Sequence, residues 1–389
     1  MKLGIYIHLP YCLTKCPYCD FNSYGVGEDF PEEQYTKAIL SEIDMQLELL
    51  EKKEVSSIFF GGGTPSLFKP SSIELVLDKI NSYMKIKKET EITLEINPRS
   101  VELEKLNDFR GVGINRASIG IQSFSDRKLK FYGRNSNSED SRKVLEDINK
   151  SGFKNFNIDL IYGSTNETLT ELENDLDIAL EYGSTHISAY CLTIEDGTQF
   201  GYLYKKGLLK LPDDEVLSEM YTLTSEMLVK NGFTHYEISN FSKLGNECVQ
   251  NLIYWKCDTY IGFGAGAHSH LKGYGEMGKW GKRWGNIKNP GKYMNNAINM
   301  GNVAEFMEDL DRENAINDKI MMGLRLSDGV DIENLSDIYN AEFNFNNLNH
   351  FFEEGLLEFI DGELKITKEG RIFSNLLIEK VTESLKLLN

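Results

Sequence analysis

Proline and positive charge are both scarce in this chain of 389 residues, and each scarcity excludes a class of protein. Only 8 prolines are present and no tract of glycine and serine occurs, so long disordered linkers are not expected. Lysine and arginine number 42 against 60 aspartates and glutamates, which gives a formal net charge of −18. Because such a surface repels a phosphate backbone, we expect no nucleic-acid partner.

Long apolar runs are also missing from the sequence. No stretch approaches the ~20 apolar residues that a membrane-spanning helix needs. The apolar opening segment is too short for a secretory signal and has no small-residue cleavage site. We therefore expect a cytoplasmic protein with no integral membrane segment. Thiols stay reduced in that compartment, so clustered cysteines would indicate a metal site or catalysis rather than disulfides.

The first half of the chain alternates short β-rich runs with amphipathic runs of helical periodicity. The predicted strands are residues 3–9, 57–60, 91–96, 116–121, 155–161 and 186–192. The predicted helices are residues 32–50, 71–84, 101–109, 139–150 and 169–182, with a further helix at 213–230 and a strand at 234–238. Six such repeats predict an α/β fold with a parallel sheet, either open or wound into an incomplete barrel.

The second half of the chain has a different character. Residues 240–285 are rich in glycine, aromatics, cysteine and histidine, and closely spaced glycines favour tight backbone contacts. Near the C-terminus, Asp361-Gly362 between two β-like runs predicts a hairpin within a winged-helix-like unit. We expect three domains: a barrel at 1–235, a glycine- and aromatic-rich extension closing it at 236–304, and a helical, winged-helix-like domain at 305–389.

Three cysteines, Cys12, Cys16 and Cys19, follow the first predicted strand. A zinc site would normally need four ligands in paired spacing, and no partner pair follows. A thioredoxin-type pair would need no third cysteine. Three close thiolates suit a loop around a cubane iron–sulfur cluster, where they bind three irons and leave the fourth with an open position. The spacing therefore predicts a [4Fe–4S] cluster that also binds a small molecule.

The Cys-x3-Cys-x2-Cys spacing resembles the signature of the radical SAM superfamily, which binds S-adenosylmethionine (SAM) at the open iron. The flanking residues are similar to the branch that contains oxygen-independent coproporphyrinogen III oxidase and the heme chaperone HemW: Tyr6-Ile-His-Leu-Pro-Tyr-Cys12 and Tyr18-Cys19-Asp20-Phe21. Further similar motifs follow along almost the whole chain: Gly61-Gly-Gly-Thr-Pro65, Glu95-Ile-Asn-Pro98, Gly120-Ile-Gln-Ser-Phe124, Gly133-Arg134, Asp159-Leu-Ile-Tyr-Gly163 and Gly264-Ala-Gly-Ala-His268. Each motif alone is weak, but their joint order is specific.

The resemblance implies a partial (βα)6 barrel, with cluster and SAM beyond the carboxyl ends of its strands. It also implies a role for each matched position. Arg134 would bind the SAM carboxylate through two hydrogen bonds. The other implied roles are Gly62, Gly63 and Thr64 at the SAM amino group, Glu95 for an ammonium group, Gln122 and Asp159 for ribose hydroxyls, and Tyr6 and Tyr18 for the pocket wall beside the cluster.

Two features favour the chaperone branch of this family. The oxidases usually carry a further cysteine two residues after the third cluster cysteine, where this chain has Phe21. Cys19-Asp20-Phe21 resembles the chaperones instead. The oxidases also usually carry an extension ahead of the cluster, whereas Cys12 lies near the start of this sequence. We therefore expect no coproporphyrinogen oxidase activity.

A third feature departs from the chaperone pattern. The chaperones resemble His-Asn-x-x-Tyr-Trp, with the histidine implicated in heme binding, where this chain has Gln250 followed by Asn251. Glutamine is a poor iron ligand compared with imidazole or thiolate. Other residues with suitable donors remain open as heme ligands: Cys248, Cys257, His268 and His270.

The resemblance as a whole implies a heme chaperone that binds a [4Fe–4S] cluster, SAM and heme. Its expected partners are heme or another tetrapyrrole, a protein that accepts the heme, and a one-electron donor. Two alternatives stay open. One is coproporphyrinogen III oxidase, which decarboxylates oxidatively in porphyrin synthesis, and the other is a radical SAM enzyme acting on another tetrapyrrole.

Overall fold

Strands and helices alternate along most of the chain in this computed structural model, which describes residues 2–27, 29–46, 49, 54–273 and 280–388. The strands are β1 Lys2–Leu9, β2 Tyr11–Cys12, β3 Tyr24–Gly25, β4 Glu54–Gly62, β5 Glu91–Ile96, β6 Arg116–Gln122, β7 Asn155–Tyr162, β8 His186–Cys191, β9 Thr234–Glu237, β10 Asn240–Ser242, β11 Tyr260–Phe263, β12 His268–Lys272, β13 Gly281–Asn286, β14 Ala304–Asp309, β15 Val330–Asp331, β16 Ala341–Phe343, β17 Leu357–Ile360, β18 Glu363–Ile366 and β19 Leu385–Leu387.

The α-helices lie mainly between these strands, as the periodicity predicted. They are Glu32–Met45, Pro70–Tyr83, Leu103–Gly111, Asp126–Phe131, Ser138–Ser151, Leu169–Glu181, Gln199–Lys205, Asp214–Lys230, Val249–Trp255, Pro290–Asn295, Arg312–Gly323, Ile332–Tyr339, Asn349–Glu353 and Ser374–Glu383. The helix expected at 32–50 ends at Met45, and residues 47, 48 and 50 lie outside the described residues. Within the described ranges, no helix combines the length and apolarity needed to cross a membrane.

Six parallel strands form the incomplete barrel that the sequence predicted. β1, β4, β5, β6, β7 and β8 are neighbours in that order, and each pairs in parallel with the next. In β1 the fully buried Leu3, Ile5 and Ile7 belong to the main apolar core. Side chains alternate along a strand, so Tyr6 and His8 lie on the opposite face, which lines the interior of the barrel.

Four further strands extend the sheet beyond β1. β11 pairs in parallel with β1, and β12, β13 and β14 follow as antiparallel neighbours. At the opposite edge, β10 and then β9 follow β8. The main sheet therefore has twelve strands, of which the six central ones form the barrel wall.

The C-terminal helices and hairpin pack around an apolar cluster of their own, whose buried members lie between Leu310 and Val381. A three-stranded sheet here has the order β15-β18-β17. The hairpin of β17 and β18 turns at Asp361 and Gly362, which both have positive φ, 53° and 83°. That is the backbone geometry that Asp-Gly favours in two-residue turns. The winged-helix-like unit is therefore present, while the domain boundaries at 235 and 304 stay predictions.

Candidate functional site

A cavity of about 570 Å³ lies inside the barrel, and its wall includes the three cysteines of the loop after β1. Parallel strands end at one edge of the sheet, so side chains distant in sequence meet there. Of the nine positions expected to contact SAM, eight line this cavity: Tyr18, Gly62, Gly63, Thr64, Glu95, Gln122, Arg134 and Asp159. The structure thus brings together nearly all of the positions that the sequence singled out.

Cys12, Cys16 and Cys19 are free, partly exposed thiols on the cavity wall. The Cys19 N–H donates to the Cys16 carbonyl at 3.1 Å, which closes a turn between two of them. Burial raises the pKa of the Cys12 and Cys19 thiols, so both keep their protons at neutral pH until a metal displaces them. Among the described residues no three His, Cys, Asp or Glu side chains converge on a single ion. A cubane cluster instead takes one thiolate on each of several irons, which fits three cysteines spread along one loop.

The cluster loop, residues 12–25, is held against two other parts of the chain. The Asn22 amide donates from Nδ2 to the carbonyls of Ala265 and Lys288, at 2.9 Å each. On another side, Gly133 has a φ of 65° and lies under Pro17. A Cβ at this glycine would lie 2.5 Å from Pro17 Cδ, so only glycine permits the contact. The loop shape therefore depends on packing as well as on any bound cluster.

Arg134 places a cation beside the cluster loop. Its Nη1 lies 3.8 Å from Cys16 Sγ, and its Nη2 donates to the Gly120 carbonyl at 2.7 Å. Burial disfavours its charge, but Tyr18 and Cys16 outweigh this effect, so the pKa of Arg134 is raised. The guanidinium is therefore a permanent, oriented charge at the cavity wall, which suits a carboxylate ligand.

Two partly buried carboxyl groups face the same cavity. Glu95 Oε2 accepts the N–H of Gly62 at 3.0 Å, and burial, reinforced by the charge of Asp159, raises the pKa of Glu95 to about 8. Asp159 Oδ1 accepts from Asn157 Nδ2 at 2.6 Å, and burial raises its pKa too. An ammonium group next to Glu95 would favour the ionised carboxylate. The pair can therefore bind a cationic ligand.

Backbone conformation shapes the wall at three of the expected positions. Gln122 has a φ of 70°, at an irregularity in the pairing of β6 with β7, and a non-glycine residue is strained there. Gly62 has a φ of 113°, and a Cβ on it would lie 2.5 Å from the His8 ring. A Cβ on Gly63 would lie 2.7 Å from the Tyr11 carbonyl oxygen. These glycines are thus needed for packing under the cluster loop, in addition to the ligand approach that the resemblance implies.

Tyr6 is the expected position that does not line the cavity. It is partly buried beside Phe59, and its hydroxyl lies 2.9 Å from His8 Nδ1. His8 Nε2 in turn lies 2.9 Å from the Asn22 carbonyl oxygen, in the cluster loop. The expected place of Tyr6 in the pocket wall stays a prediction, and the phenol contacts the loop through His8. Sequence reasoning missed His8, although the alternation along β1 places it on the same face as Tyr6.

The cavity also has a polar floor that the sequence analysis did not predict. Arg116 is fully buried, and its Nε lies 3.8 Å from a Glu91 carboxylate oxygen but has no hydrogen-bond partner among the described residues. His186 lies beside it, hydrogen-bonded to Asn157 at 2.7 Å and to Tyr236 at 2.9 Å. Burial lowers the pKa of His186 well below its usual value, so this imidazole is neutral.

Gln250, which stands where the chaperones have histidine, does not line the cavity. It is 1% exposed, and its Oε1 accepts a hydrogen bond from Ser57. A Cβ on Gly4 would lie 2.9 Å from the same oxygen. Gln250 lies on helix Val249–Trp255 and its amide packs against β1 and β4, so an iron could reach it only after local unfolding.

The four alternative heme ligands differ in accessibility. Cys248 and Cys257 are both buried, and their thiols hydrogen-bond within the chain. His270 Nδ1 lies 3.1 Å from the Asp258 carbonyl oxygen. His268 is exposed, and within the described ranges its ring has no hydrogen bond.

Comparison with known proteins agrees with this geometry. Residues 6–179 match the model of the Radical SAM superfamily, and residues 310–373 match the HemN C-terminal domain. The solved structure of Escherichia coli coproporphyrinogen III oxidase, described as a radical SAM enzyme, superposes with a TM-score of 0.80. It covers 98% of this chain and 89% of the oxidase at 21% identity. At that identity the match shows a shared fold.

Curated relatives give the family. The heme chaperone HemW of Haemophilus influenzae is 41% identical over 273 residues, which is 69% of this chain and 70% of that protein. The HemW proteins of Buchnera aphidicola subsp. Acyrthosiphon pisum and Bacillus subtilis are 35% and 32% identical. The Buchnera match covers 97% of both chains, and the Bacillus match covers 95% of this chain and 96% of that one. The chain therefore belongs to the radical SAM superfamily and, within it, to the heme chaperone HemW family.

Proposed function

We propose that this protein is a heme chaperone that holds a [4Fe–4S] cluster on Cys12, Cys16 and Cys19, binds SAM beside it, and passes heme to an acceptor protein. The observation that carries the proposal is the cavity. Three free thiols, a fixed guanidinium and two partly buried carboxyl groups line one space of about 570 Å³. The relatives named as heme chaperones supply the cargo in this proposal.

The wall offers a partner for each polar part of SAM. Arg134 suits the carboxylate because its guanidinium can donate two parallel hydrogen bonds. Glu95 suits the ammonium group, whose charge would favour the ionised carboxylate. Asp159 and Gln122 suit the ribose hydroxyls, and Gly62 to Thr64 supply backbone groups for the amino end. The structure supports these assignments through the shared cavity, and each remains a proposal until SAM binding is measured.

The protein and its cofactors have separate tasks in this scheme. The bound cluster and SAM supply one-electron chemistry, which the side chains of the protein cannot perform. Arg134 and Glu95 orient the ligand through opposite charges, and the buried walls around them limit access of water. His8 fixes the cluster loop through its contact with the Asn22 carbonyl at 2.9 Å. A one-electron donor and a heme acceptor, both proteins of the cytoplasm, complete the proposal.

Phe21 favours a heme chaperone function over a coproporphyrinogen oxidase activity. The side chain lies on the cavity wall and is 60% exposed, and it offers no thiol where the oxidases usually carry a cysteine. This position cannot ligate a metal or donate a hydrogen atom from sulfur. The cavity therefore lacks, at this position, the thiol that the oxidases usually carry.

Two measurements on one preparation test the proposed function. The protein is reconstituted with iron and sulfide without oxygen, titrated with heme while the Soret band is recorded, and then assayed for coproporphyrinogen III decarboxylation with SAM and a reductant. We expect heme binding and no decarboxylation. The Escherichia coli oxidase is the positive control for the assay. Absence of a Soret change would rule out the chaperone, and turnover would move the protein to the oxidases.

A further inference from the structure

One face of the sheet extension formed by β11 to β14 carries an unusual row of residues. The pairing of β12 with β13 places His268 opposite Gly285, and the pairing of β13 with β14 places Gly285 opposite Phe306. Directly opposed residues share one face of a sheet. Tyr260 joins this face to the barrel, because it pairs with Gly4 on one side and His270 on the other. The row therefore continues the inner wall of the barrel.

His268 differs from most other histidines of the chain in having free ring nitrogens. Hydrogen bonds already occupy ring nitrogens of four of the six histidines: His8, His186, His235 and His270. Among the described residues no hydrogen bond reaches the rings of the other two. His350 lies in the C-terminal domain, where its ring packs against Phe351 at an angle of 41° between the planes. Among the described residues, His268 alone combines two free ring nitrogens with a position on the inner face of the main sheet, since His270 on the same face has its Nδ1 hydrogen-bonded.

Next to His268 lies a flat apolar surface. The Phe306 ring centroid is 5.5 Å from that of His268, with an angle of 61° between the planes, and the phenylalanine is 44% exposed. The Phe306 ring lies over the buried Gly285. A Cβ on this glycine would lie 2.4 Å from the ring, so the absence of a side chain at position 285 is what leaves room for Phe306 in this place. An exposed aromatic ring beside a free imidazole is a surface on which a planar apolar ligand can pack.

A positive charge completes this surface. Lys288 is exposed and makes no ion pair within the described ranges, and it lies close enough to His268 to contribute, after burial, to lowering the pKa of that imidazole. The imidazole is therefore neutral at pH 7, which is the form that ligates metals. In a chain of net charge −18, an unpaired lysine at this position is a local attractor for an anionic group.

We propose that heme binds on the surface formed by His268, Gly285, Phe306 and Lys288, with His268 as an axial ligand of the iron. Phe306 packs on the porphyrin plane and Lys288 pairs with a propionate. This proposal rests on the proposed heme-chaperone function and assigns its heme site. It assigns the ligand of the heme iron to His268 and not to Gln250, whose amide is packed inside the barrel. A single imidazole on an open face also suits a cargo that must leave again.

The test uses full-length protein already loaded with cluster, so that the cluster cysteines cannot take heme. Ferric heme is titrated into the wild type and His268→Ala, and binding is read from the Soret band and from resonance Raman. We expect the dissociation constant of His268→Ala to rise about tenfold or more, with loss of the imidazole-ligated spectrum. His350→Ala, which removes the other histidine with free nitrogens, and Gln250→Ala should both match the wild type.

A second variant gives a gain of signal. His268→Tyr keeps an aromatic ring beside Phe306 and replaces imidazole with a phenol, which also ligates heme iron in proteins. We expect heme bound to this variant to show a phenolate-to-iron charge-transfer band. Lys288→Glu should weaken binding and leave the spectrum unchanged.

The outcomes separate the two proposals. If the wild type binds no heme, the chaperone function fails and this site fails with it. If the wild type binds heme while His268→Ala and His268→Tyr reproduce its affinity and spectrum, the site is wrong and the chaperone function stands. Iron content and far-UV circular dichroism of each variant show that its fold and cluster are intact.

Discussion

Glu42 joins helix Glu32–Met45 to the glycine-rich part of the chain through hydrogen bonds that all point at its carboxylate. It accepts the N–H of Gly264 at 2.9 Å, Asn286 Nδ2 at 2.6 Å and the Tyr293 hydroxyl at 2.6 Å. The residue is fully buried. A buried carboxyl group surrounded by donors is satisfied only while both of its oxygens can accept, which holds for the ionised and for the protonated form.

Glu42→Gln should therefore destabilise the protein. The new amide nitrogen must donate, yet only donors face it, so we expect a loss of about 1–3 kcal/mol in the free energy of unfolding. Urea unfolding followed by circular dichroism measures this change. Glu33→Gln, on the exposed face of the same helix, should stay within about 0.5 kcal/mol of the wild type. Equal stability of the two variants would contradict the role given to Glu42.

The same carboxyl group predicts a pH dependence. Burial raises the pKa of Glu42 in the folded chain from 4.5 to about 7. Between these values the folded state holds more protons than the unfolded state, so the Glu42 contribution to the free energy of unfolding falls as pH rises from about 4.5 to 7. The free energy of unfolding of the wild type minus that of Glu42→Gln, measured across this pH range, should show that decline. A difference that is flat with pH would argue against the raised pKa.

The cluster cysteines give a prediction that needs no heme. Replacing Cys12, Cys16 and Cys19 together by serine should abolish iron binding after anaerobic reconstitution, because the loop then offers no thiolate. Iron and sulfide content per chain, with visible absorption, measure the result. Cys257→Ser is the matched control, because this thiol is buried outside the cavity wall and its bond to the Asp318 carbonyl can pass to a hydroxyl. A triple variant that retains four irons would refute the assignment.

At the scale of elements, the sequence predicted the barrel better than its extension. The six barrel strands alternate with amphipathic helices, so the spacing of apolar residues marks both kinds of element in the sequence. β5, for example, begins and ends where predicted. β11, β12 and β13 lie in the region of glycines, aromatics and histidines, where no such spacing is visible. β11 pairs with β1 across more than 250 residues of sequence, and no local pattern predicts such a partner.

The sequence predicted the site residues that lie at or after the carboxyl ends of strands. It did not predict the site residues that lie at the starts of strands. Glu95, Gln122 and Arg134 belong to ordered motifs, and all line the cavity. Arg116 and His186 stand at the first positions of β6 and β8. An isolated polar residue at the start of a strand leaves no periodic pattern in the sequence. Only the folded barrel shows that Arg116 and His186 both reach the floor of the cavity.

The contact of Gly133 with the cluster loop predicts that adding one methyl group at this position, as in Gly133→Ala, affects how the loop holds iron. Gly133→Ala would place a Cβ 2.5 Å from Pro17 Cδ, so the loop must shift and we expect faster loss of iron to a chelator. Gly183→Ala is the matched control: its φ of 70° is close to the 65° of Gly133, and nothing lies within 4 Å of its Cβ. Both variants carry the backbone cost of about 1–2 kcal/mol. Equal rates of iron loss would show that the contact does not matter.

At the scale of the whole molecule, the C-terminal domain docks on the main sheet through polar groups near β9. The Ser327 N–H donates to the Tyr236 carbonyl at 3.0 Å. Arg371 Nη2 donates to the His235 carbonyl at 3.2 Å and also to the Ser327 hydroxyl. One guanidinium thus joins β9, the segment after helix Arg312–Gly323 and the turn before helix Ser374–Glu383.

Arg371→Met should loosen this docking without unfolding either part. Because the His235 carbonyl and Ser327 hydroxyl lose a common donor, we expect faster hydrogen exchange of the Ser327 amide, measured by mass spectrometry. Lys368→Met removes only an exposed ion pair with Glu226 at 3.4 Å, which is worth little, and should leave the exchange rate unchanged. If both variants exchange at the wild-type rate, the arginine does not hold the interface.

The two hydrogen bonds of Asn22 have a consequence for biosynthesis. They span 243 and 266 residues of sequence, so the cysteine loop leaves the ribosome long before the carbonyls that brace it. A nascent chain therefore exposes the thiols in an unbraced loop during most of translation. The finished loop geometry exists only after the segment around Lys288 has been made. Under the proposed cluster assignment, assembly of the metal centre is thus a late step that follows most of the synthesis of the chain.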